Sequence, residues 1–295
     1  MSLKIIDGKA IAAEIKKEIA KEVAAMIDKD DKAPHLAAII VGEDAASQTY
    51  VASKEKACRS VGITSSVYRL PANTSEKELL ELVEFMNRDE EVDGYIVQLP
   101  LPDHMNEQKV LMAIDPSKDV DGFHPENAGR MMLGLPSYLP ATPNGIMELL
   151  ERSKIETAGK HVVVIGRSNI VGTPISVMLS RKAKNADATV TLCHSRTKNL
   201  REITLQADIL IAAIGKVGFV TADMVKSGAA VIDVGIHRVE DASKEKGYYL
   251  AGDVDYDEVS KKASAITPVP GGVGPMTIVS LLRNTLLASK KAVYQ

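Results

Sequence analysis

Tyr50 and Lys54 stand four apart in the stretch YVASKEKA, so on a helix they share one face. Both are groups that handle protons, a phenol and an amine, which makes their spacing chemically pointed. Other polar groups sit where strand ends and loops would present them. IVQLPLP (96–102) leaves Gln98 in a strongly apolar strand end, where a ligand contact or a buried hydrogen bond is required. KDVDGFHP (118–125) packs Asp119, Asp121 and His124 around a turn glycine. Its carboxylates suit either recognition of ring N–H groups or capping of the turn, and the pattern alone leaves both open. TPVPGGVGPMT (267–277) brings backbone close to something rigid, and Gly274-Pro275 can start a helix.

The turn GRSNIVGTP (166–174) follows an apolar run, KHVVVIG, and precedes PISVMLSRKAK. It departs from the dinucleotide pattern G-x-G-x-x-G, because Ser168 stands at the second glycine and the next glycine is Gly172. Gly166 still permits the tight turn, and Gly172 lets the following helix pack close. Phosphate can sit on free backbone N–H groups at a helix start, with a hydroxyl from Ser168 and a fixed positive charge from Arg167. In NAD enzymes an Asp or Glu near the end of the second strand accepts from the ribose 2′-hydroxyl. That place reads CHSRTK (193–198), with Ser195, Arg196 and Lys198 but no acid. A carboxylate would repel a 2′-phosphate, whereas Ser195 and Arg196 would hold one, so the expected cofactor is NADP.

The elements that must position these groups alternate between strand and helix. Residues 9–29 carry Ile11, Ile15, Ile19, Val23 and Ile27 at helical spacing. HLAAIIVG (35–42) reads as a buried strand, followed by the helix bearing YVASKEKA. ITSSVYRL (63–70) is a strand, SEKELLELVEFMNRD (75–89) a helix with Ser75 as N-cap, and VDGYIVQLPLP (92–102) a strand stopped by two prolines. A second series starts near residue 160, with strands at 160–166, 188–193, 207–215 and 229–235 and helices at PISVMLSRKAK, LREITLQ and TADMVKSG. This is an α/β protein with a Rossmann-type wind in its second half. The expected domains are residues 1–140 plus 275–295, and residues 141–274 as the NADP-binding domain; the last helix, about 275–290, returns to the first.

Composition excludes several classes. The chain has 295 residues, 45% of them apolar, enough for two ordinary domains with sizeable cores. A net charge of −3 gives no basic footprint for nucleic acid. No apolar run reaches membrane-spanning length, and the N-terminal stretch lacks the features of a signal peptide. Cys58 and Cys193 lie far apart, which points to free thiols in the cytoplasm. The six His are scattered and neither H-E-x-x-H nor C-x-x-C occurs, so no metal is expected.

A Tyr-x-x-x-Lys pair also marks short-chain dehydrogenases, but those chains put the dinucleotide turn first. Here the pair precedes the phosphate turn by about a hundred residues, so that reading fails on chain order. The full set YVASKEKA, DGYIVQLPLP, DPSKDVDGFHP, GRSNIVGTP, CHSRT, VIDVG and TPVPGGVGPMT, in this order over nearly the whole chain, closely resembles bifunctional methylenetetrahydrofolate dehydrogenase/methenyltetrahydrofolate cyclohydrolases.

The resemblance implies an N-terminal folate-binding catalytic domain, a C-terminal NADP-binding domain, a cleft between them and a homodimer. It implies NADP-dependent oxidation of 5,10-methylenetetrahydrofolate to the 5,10-methenyl cation, then hydrolysis to 10-formyltetrahydrofolate. Carried onto this sequence, it makes Lys54 the proton-handling group of the hydration step, with Gln98 fixing its orientation. Asp121 would accept from pterin N–H groups, and Tyr50 would stack on the aminobenzoyl ring. Gly272 and Pro275 would border folate and nicotinamide. Gly166, Arg167, Ser168, Gly172, Ser195, Arg196 and Ile236 would hold NADP. Two positions depart from the family's pattern: Ala141 replaces a frequent Cys before T-P-x-G, and His237 replaces a frequent Asn after V-G-I. His237 either alters contacts near the nicotinamide or does nothing.

Overall fold

The computed structural model describes residues 3–245 and 247–294. These fall into two compact units, one of Ala13–Ala141 and Ile278–Gln295, the other of Met1–Ala12 and Thr142–Thr277.

In the first unit a three-stranded parallel sheet has β2 (His35–Val41) at its centre, between β3 (Thr64–Leu70) and β4 (Gly94–Val97). The run HLAAIIV is buried along nearly its whole length, as a parallel strand covered on both faces must be. Helix α1 (Gly8–Ile27) precedes the sheet, and the crossovers are α2 (Ala45–Ser60) and α3 (Glu76–Arg88). The side chain of Asp44 caps α2 through the Ser47 N–H, and α3 opens on a full capping box between Ser75 and Glu78. Leu79, Val83 and Met86 of α3 bury against Ala37, Ile39, Tyr95 and Val97 of the sheet. Two further helices, α4 (Glu107–Ala113) and α5 (Pro125–Leu133), were not expected from the apolar spacing. Both are short and are started by polar caps, Asn106 and His124, so they need few periodic apolar residues. The third sheet strand is also shorter than expected: pairing ends at Val97, ahead of Pro100 and Pro102.

The second unit holds a six-stranded parallel sheet. It contains β1 (Lys4–Ile5), β5 (His161–Ile165), β6 (Thr189–Cys193), β7 (Ile209–Ala212), β8 (Ala230–Asp233) and β11 (Ala265–Ile266), in the spatial order β1-β11-β8-β7-β5-β6. Helices α6 (Ala141–Arg152), α7 (Gly172–Ser180), α8 (Leu200–Thr204), α9 (Tyr256–Val259) and α10 (Val273–Ser289) complete the helix count among the described residues. An antiparallel hairpin of β9 (His237–Glu240) and β10 (Tyr248–Ala251) was not foreseen. Val163, Ile165, Leu210, Ala212, Val231 and Ile266 form the core around the sheet.

Two expectations are corrected here. TADMVKSG is not a helix: it contains a single 3₁₀ turn, Ala222–Met224, which lacks a side-chain cap and is soon followed by Gly228 at φ +83°. Residues 3–12 lie with the second unit, not the first. β1 extends the six-stranded sheet by pairing Lys4 and Ile5 with Ala265 and Ile266, and the Lys9 N–H donates to the Gly271 carbonyl at 2.9 Å. Cys58 and Cys193 are both free and buried, and burial pushes the Cys58 thiol up to about 12. Among the described residues no helix is long and apolar enough to cross a membrane.

Candidate functional site

Gln98 is set by the register of β4 on β2. Ile39 pairs with Val97, and the next residue, Gln98, donates its backbone N–H to the Ile39 carbonyl at 2.8 Å. Its side chain therefore leaves the carboxyl end of the sheet. Nε2 donates to the Leu99 carbonyl at 2.7 Å, which turns Oε1 outward to accept from Lys54 Nζ at 3.1 Å. An ammonium has no acceptor, so the amide can offer it only its oxygen.

Lys54 comes from α2, where the buried Val51, Ala57 and Cys58 lie three or four residues from it on the same side of the helix. Tyr50, one turn earlier, is 41% exposed, and partial burial pushes its hydroxyl above the ordinary phenol value. It is a poorer acid than a free tyrosine, and it offers a ring face.

Asp119 and Asp121, which the sequence left equivalent, have different surroundings. Asp119 is buried and its Oδ2 accepts from the His124 N–H at 2.7 Å and from Asn127 Nδ2 at 3.0 Å. It closes the turn. Those bonds leave Asp121 out. Burial pushes the Asp121 carboxyl up and the Lys54 charge pulls it back, so Asp121 lies within electrostatic reach of the Lys54–Gln98 pair. The loop is braced from outside: Asn284 of α10 donates to the carbonyls of Val120 and Leu139 at 2.8 and 2.9 Å, and Tyr138 donates its N–H to Asn127 Oδ1 at 3.2 Å. These braces carry no sequence signal near the motif.

Burial also raises Asp119 from its ordinary value to about 7. Between the ordinary carboxylate value and pH 7 the folded chain holds a proton there that the unfolded chain has lost. Raising pH through this window therefore costs stability, by at most about 1.4 kcal/mol per pH unit. Asp119→Asn should be free of that cost, so its stability relative to the wild type should rise with pH across the window. Urea denaturation at several pH values checks this; parallel profiles for the two proteins would refute the raised value.

In the other unit, β5 lies between β6 and β7, so successive connections leave it in opposite directions. Ligands of open α/β sheets bind outside the strand carboxyl ends at such a switch point. Gly166 ends β5 at φ +120°, and a Cβ there would overlap the Ala213 carbonyl beyond β7. A Cβ at Gly172 would overlap the Gly166 carbonyl. Ser168 occupies the missing glycine's place by accepting from the Val171 and Gly172 N–H groups at 3.1 and 3.4 Å, which leaves its proton free to donate outward. The Thr173 N–H donates to the Ser168 carbonyl at 3.0 Å and Pro174 has no N–H, so the phosphate turn itself closes the start of α7. At the end of β6 the His194 N–H donates to Thr197 Oγ1 at 2.8 Å, and His194 Nδ1 accepts from the Arg196 N–H at 3.1 Å. This turn leaves Ser195 and Arg196 exposed, as are Arg167 and Ile236. A close-packed glycine cradle, an outward Ser168 hydroxyl proton and a basic loop without an acid fit a phosphorylated dinucleotide.

A family model described as tetrahydrofolate dehydrogenase/cyclohydrolase, NAD(P)-binding domain, matches residues 140–293, and one described as the catalytic domain matches residues 6–121. The chain belongs to the tetrahydrofolate dehydrogenase/cyclohydrolase family. It is 61% identical over 291 residues to the bifunctional protein FolD of Bacteroides fragilis, covering 99% of each chain. The solved bifunctional FolD of Campylobacter jejuni matches with a TM-score of 0.92 at 50% identity, over 99% of this chain and 100% of that one. The Trypanosoma brucei dehydrogenase-cyclohydrolase, solved with NADP cofactor and inhibitor, matches with a TM-score of 0.93 at 41% identity, over 100% of both chains.

For this tetrahydrofolate dehydrogenase/cyclohydrolase, one unit carries Tyr50, Lys54, Gln98 and Asp121. The other carries the phosphate turn, Ser195, Arg196, Ile236 and the loop with Gly272 and Pro275. Gly272 is buried against Pro268 and Thr267, and Pro275 sits in the first turn of α10. Ala141 is buried at the start of α6. The sequence reading missed two buried carboxylates of this second unit, Asp233 and Asp253. The available signal was an Asp beside glycine in GDVD and an Asp ending the apolar run AAVID.

Proposed function

We propose that this chain oxidises 5,10-methylenetetrahydrofolate with NADP and hydrolyses the resulting 5,10-methenyl cation to 10-formyltetrahydrofolate, with Lys54 handling the proton of the second step. Membership of the family supports both activities. The observation that supports the residue assignment is the Lys54–Gln98 hydrogen bond at 3.1 Å.

NADP, when bound, supplies the acceptor for hydride in the first reaction. Loss of hydride leaves a positive charge on the folate, so no side chain has to remove a proton in that step. In the second reaction the water oxygen forms a bond to the methenyl carbon and one water proton leaves; a ring C–N bond then breaks as the remaining hydroxyl loses its proton and the departing ring nitrogen takes one up, giving the formyl group. The Lys54 amine accepts that proton as general base. Gln98 Oε1 fixes where Nζ points. Asp121 accepts from pterin N–H groups with a carboxylate not committed to the turn. Tyr50 stacks on the aminobenzoyl ring, using the exposed ring face. Gly272 and Pro275 border the folate and nicotinamide in this reading. Arg167, Ser168, Ser195 and Arg196 hold phosphates, Gly166 and Gly172 allow the close approach, and Ile236 flanks the cofactor.

A spectrophotometric assay with methylenetetrahydrofolate and NADP tests the function; no NADPH or methenyl absorbance at saturating substrate would sink it. We further propose a homodimer in the cytoplasm, on the strength of the resemblance and of two buried free thiols. Sedimentation equilibrium should give twice the chain mass, and a single-chain mass would remove the dimer.

A further inference from the structure

We infer that Asp253 is a positioning residue for NADP, fixing the backbone that follows β7 and β8 and gripping His237 as it does so. The inference rests on the reading of this unit as the NADP-binding one.

Asp253 is fully buried, and its carboxylate is surrounded by donors. Oδ2 accepts from the N–H groups of Ile214 at 2.6 Å and Gly215 at 3.0 Å. Oδ1 accepts from the Lys216 N–H at 2.9 Å and from His237 Nε2 at 2.8 Å. Three of these donors are consecutive amides just past β7, directly after Ala213, whose carbonyl abuts Gly166 in the phosphate turn. The fourth belongs to the residue after Ile236. One side chain thus ties together the two segments that leave β7 and β8 at the carboxyl edge of the sheet.

A second carboxylate seats the first. Asp233, at the end of β8, accepts from the Gly235 and Asp253 N–H groups at 2.9 Å each and from the Val254 N–H at 3.0 Å. A Cβ at Gly235 would overlap the Asp253 carboxylate, and one at Gly252 would overlap that of Asp233. The glycines are required because the carboxylates approach the backbone so closely. Burying a carboxylate is costly, and an apolar side chain would fill this space more cheaply if packing alone were needed. What the carboxylate adds is direction: it orients three amides and an imidazole beside the switch point, where a bound dinucleotide needs a preorganised backbone. His237, whose effect the sequence left open, completes this grip through its Nε2–H.

Asp253→Asn, His237→Ala and His237→Gln in the full chain test this by two readouts. Calorimetric titration with NADP gives Kd, and hydrolysis of the methenyl compound, which needs no NADP, reports whether the chain is folded. Asp253→Asn keeps the volume but turns an N–H₂ group toward N–H donors, so the Kd for NADP should rise about tenfold or more while hydrolysis stays within about twofold of wild type. His237→Ala should raise Kd less, and His237→Gln, which keeps an amide donor, should restore it. Unchanged NADP affinity in Asp253→Asn would overturn the inference. So would a parallel fall of NADP affinity and hydrolysis, which marks a brace for the fold alone. Failure of His237→Gln to rescue would remove His237 from it. If wild type itself fails to bind NADP, the reading of the unit falls, which is a separate outcome.

Discussion

Lys54→Met should lose hydrolysis of the 5,10-methenyl compound by about 10²- to 10⁴-fold, the usual contribution of a positioned general base, while NADP affinity stays at its wild-type value. Methionine matches the apolar stem of lysine, and α2 is anchored by the buried Val51, Ala57 and Cys58, so the helix should remain in place. What disappears is Nζ, the only group in the Lys54–Gln98 pair that is a base when neutral. Gln98 stays aimed, because its Nε2 is tied to the Leu99 carbonyl, but its Oε1 then faces water. Lys54→Arg separates two roles for the residue. Arginine retains the positive charge and the donors but cannot become neutral, so hydrolysis should be lost there too. Activity preserved in Lys54→Arg would assign Lys54 an electrostatic role, and unchanged hydrolysis in Lys54→Met would remove it from the reaction.

How far the sequence reaches toward this site depends on how local the determining contacts are. The Ser75–Glu78 box, the apolar runs of β2 and β5 and the tight turn at Gly166 are set by neighbours within a few residues, and they read directly. Tyr50 and Lys54 were legible as a helical pair for the same reason. Asp119 and Asp121 were not separable, because their difference comes from Asn127, Tyr138 and Asn284, which the fold brings in from elsewhere. Asp253 was missed on the same grounds: its backbone partners lie 37 to 39 residues earlier in the chain. β1 is two residues long, too short for any periodicity, and exists only because β11 offers an edge. Polar groups whose partners are distant in sequence are the ones that pattern reading leaves undecided.

Arg196→Ala should weaken NADP by roughly 10- to 150-fold and NAD far less, collapsing the preference between them. A charge-assisted hydrogen bond to phosphate contributes about 1.5–3 kcal/mol, and NAD has no 2′-phosphate to lose it from. The backbone of Arg196 is fixed where the chain leaves β6: its N–H donates to His194 Nδ1, and Thr197 closes the same turn through the His194 N–H. The exposed guanidinium therefore starts from a defined point and needs to order only its own side chain on binding. Ser195, beside it, supplies a hydroxyl but no charge, so it should carry the smaller share. The contact lies at the surface, and its contribution should shrink as salt is raised from low ionic strength, where the Debye length exceeds about 10 Å. Arg196→Lys keeps the charge but not the planar fork, so it should fall between wild type and Arg196→Ala. Titrations of each variant with both cofactors at two salt concentrations measure this directly. Equal losses for NADP and NAD would show that Arg196 does not read the 2′-phosphate, and would shift that role to the other cations near the loop, Lys198 first.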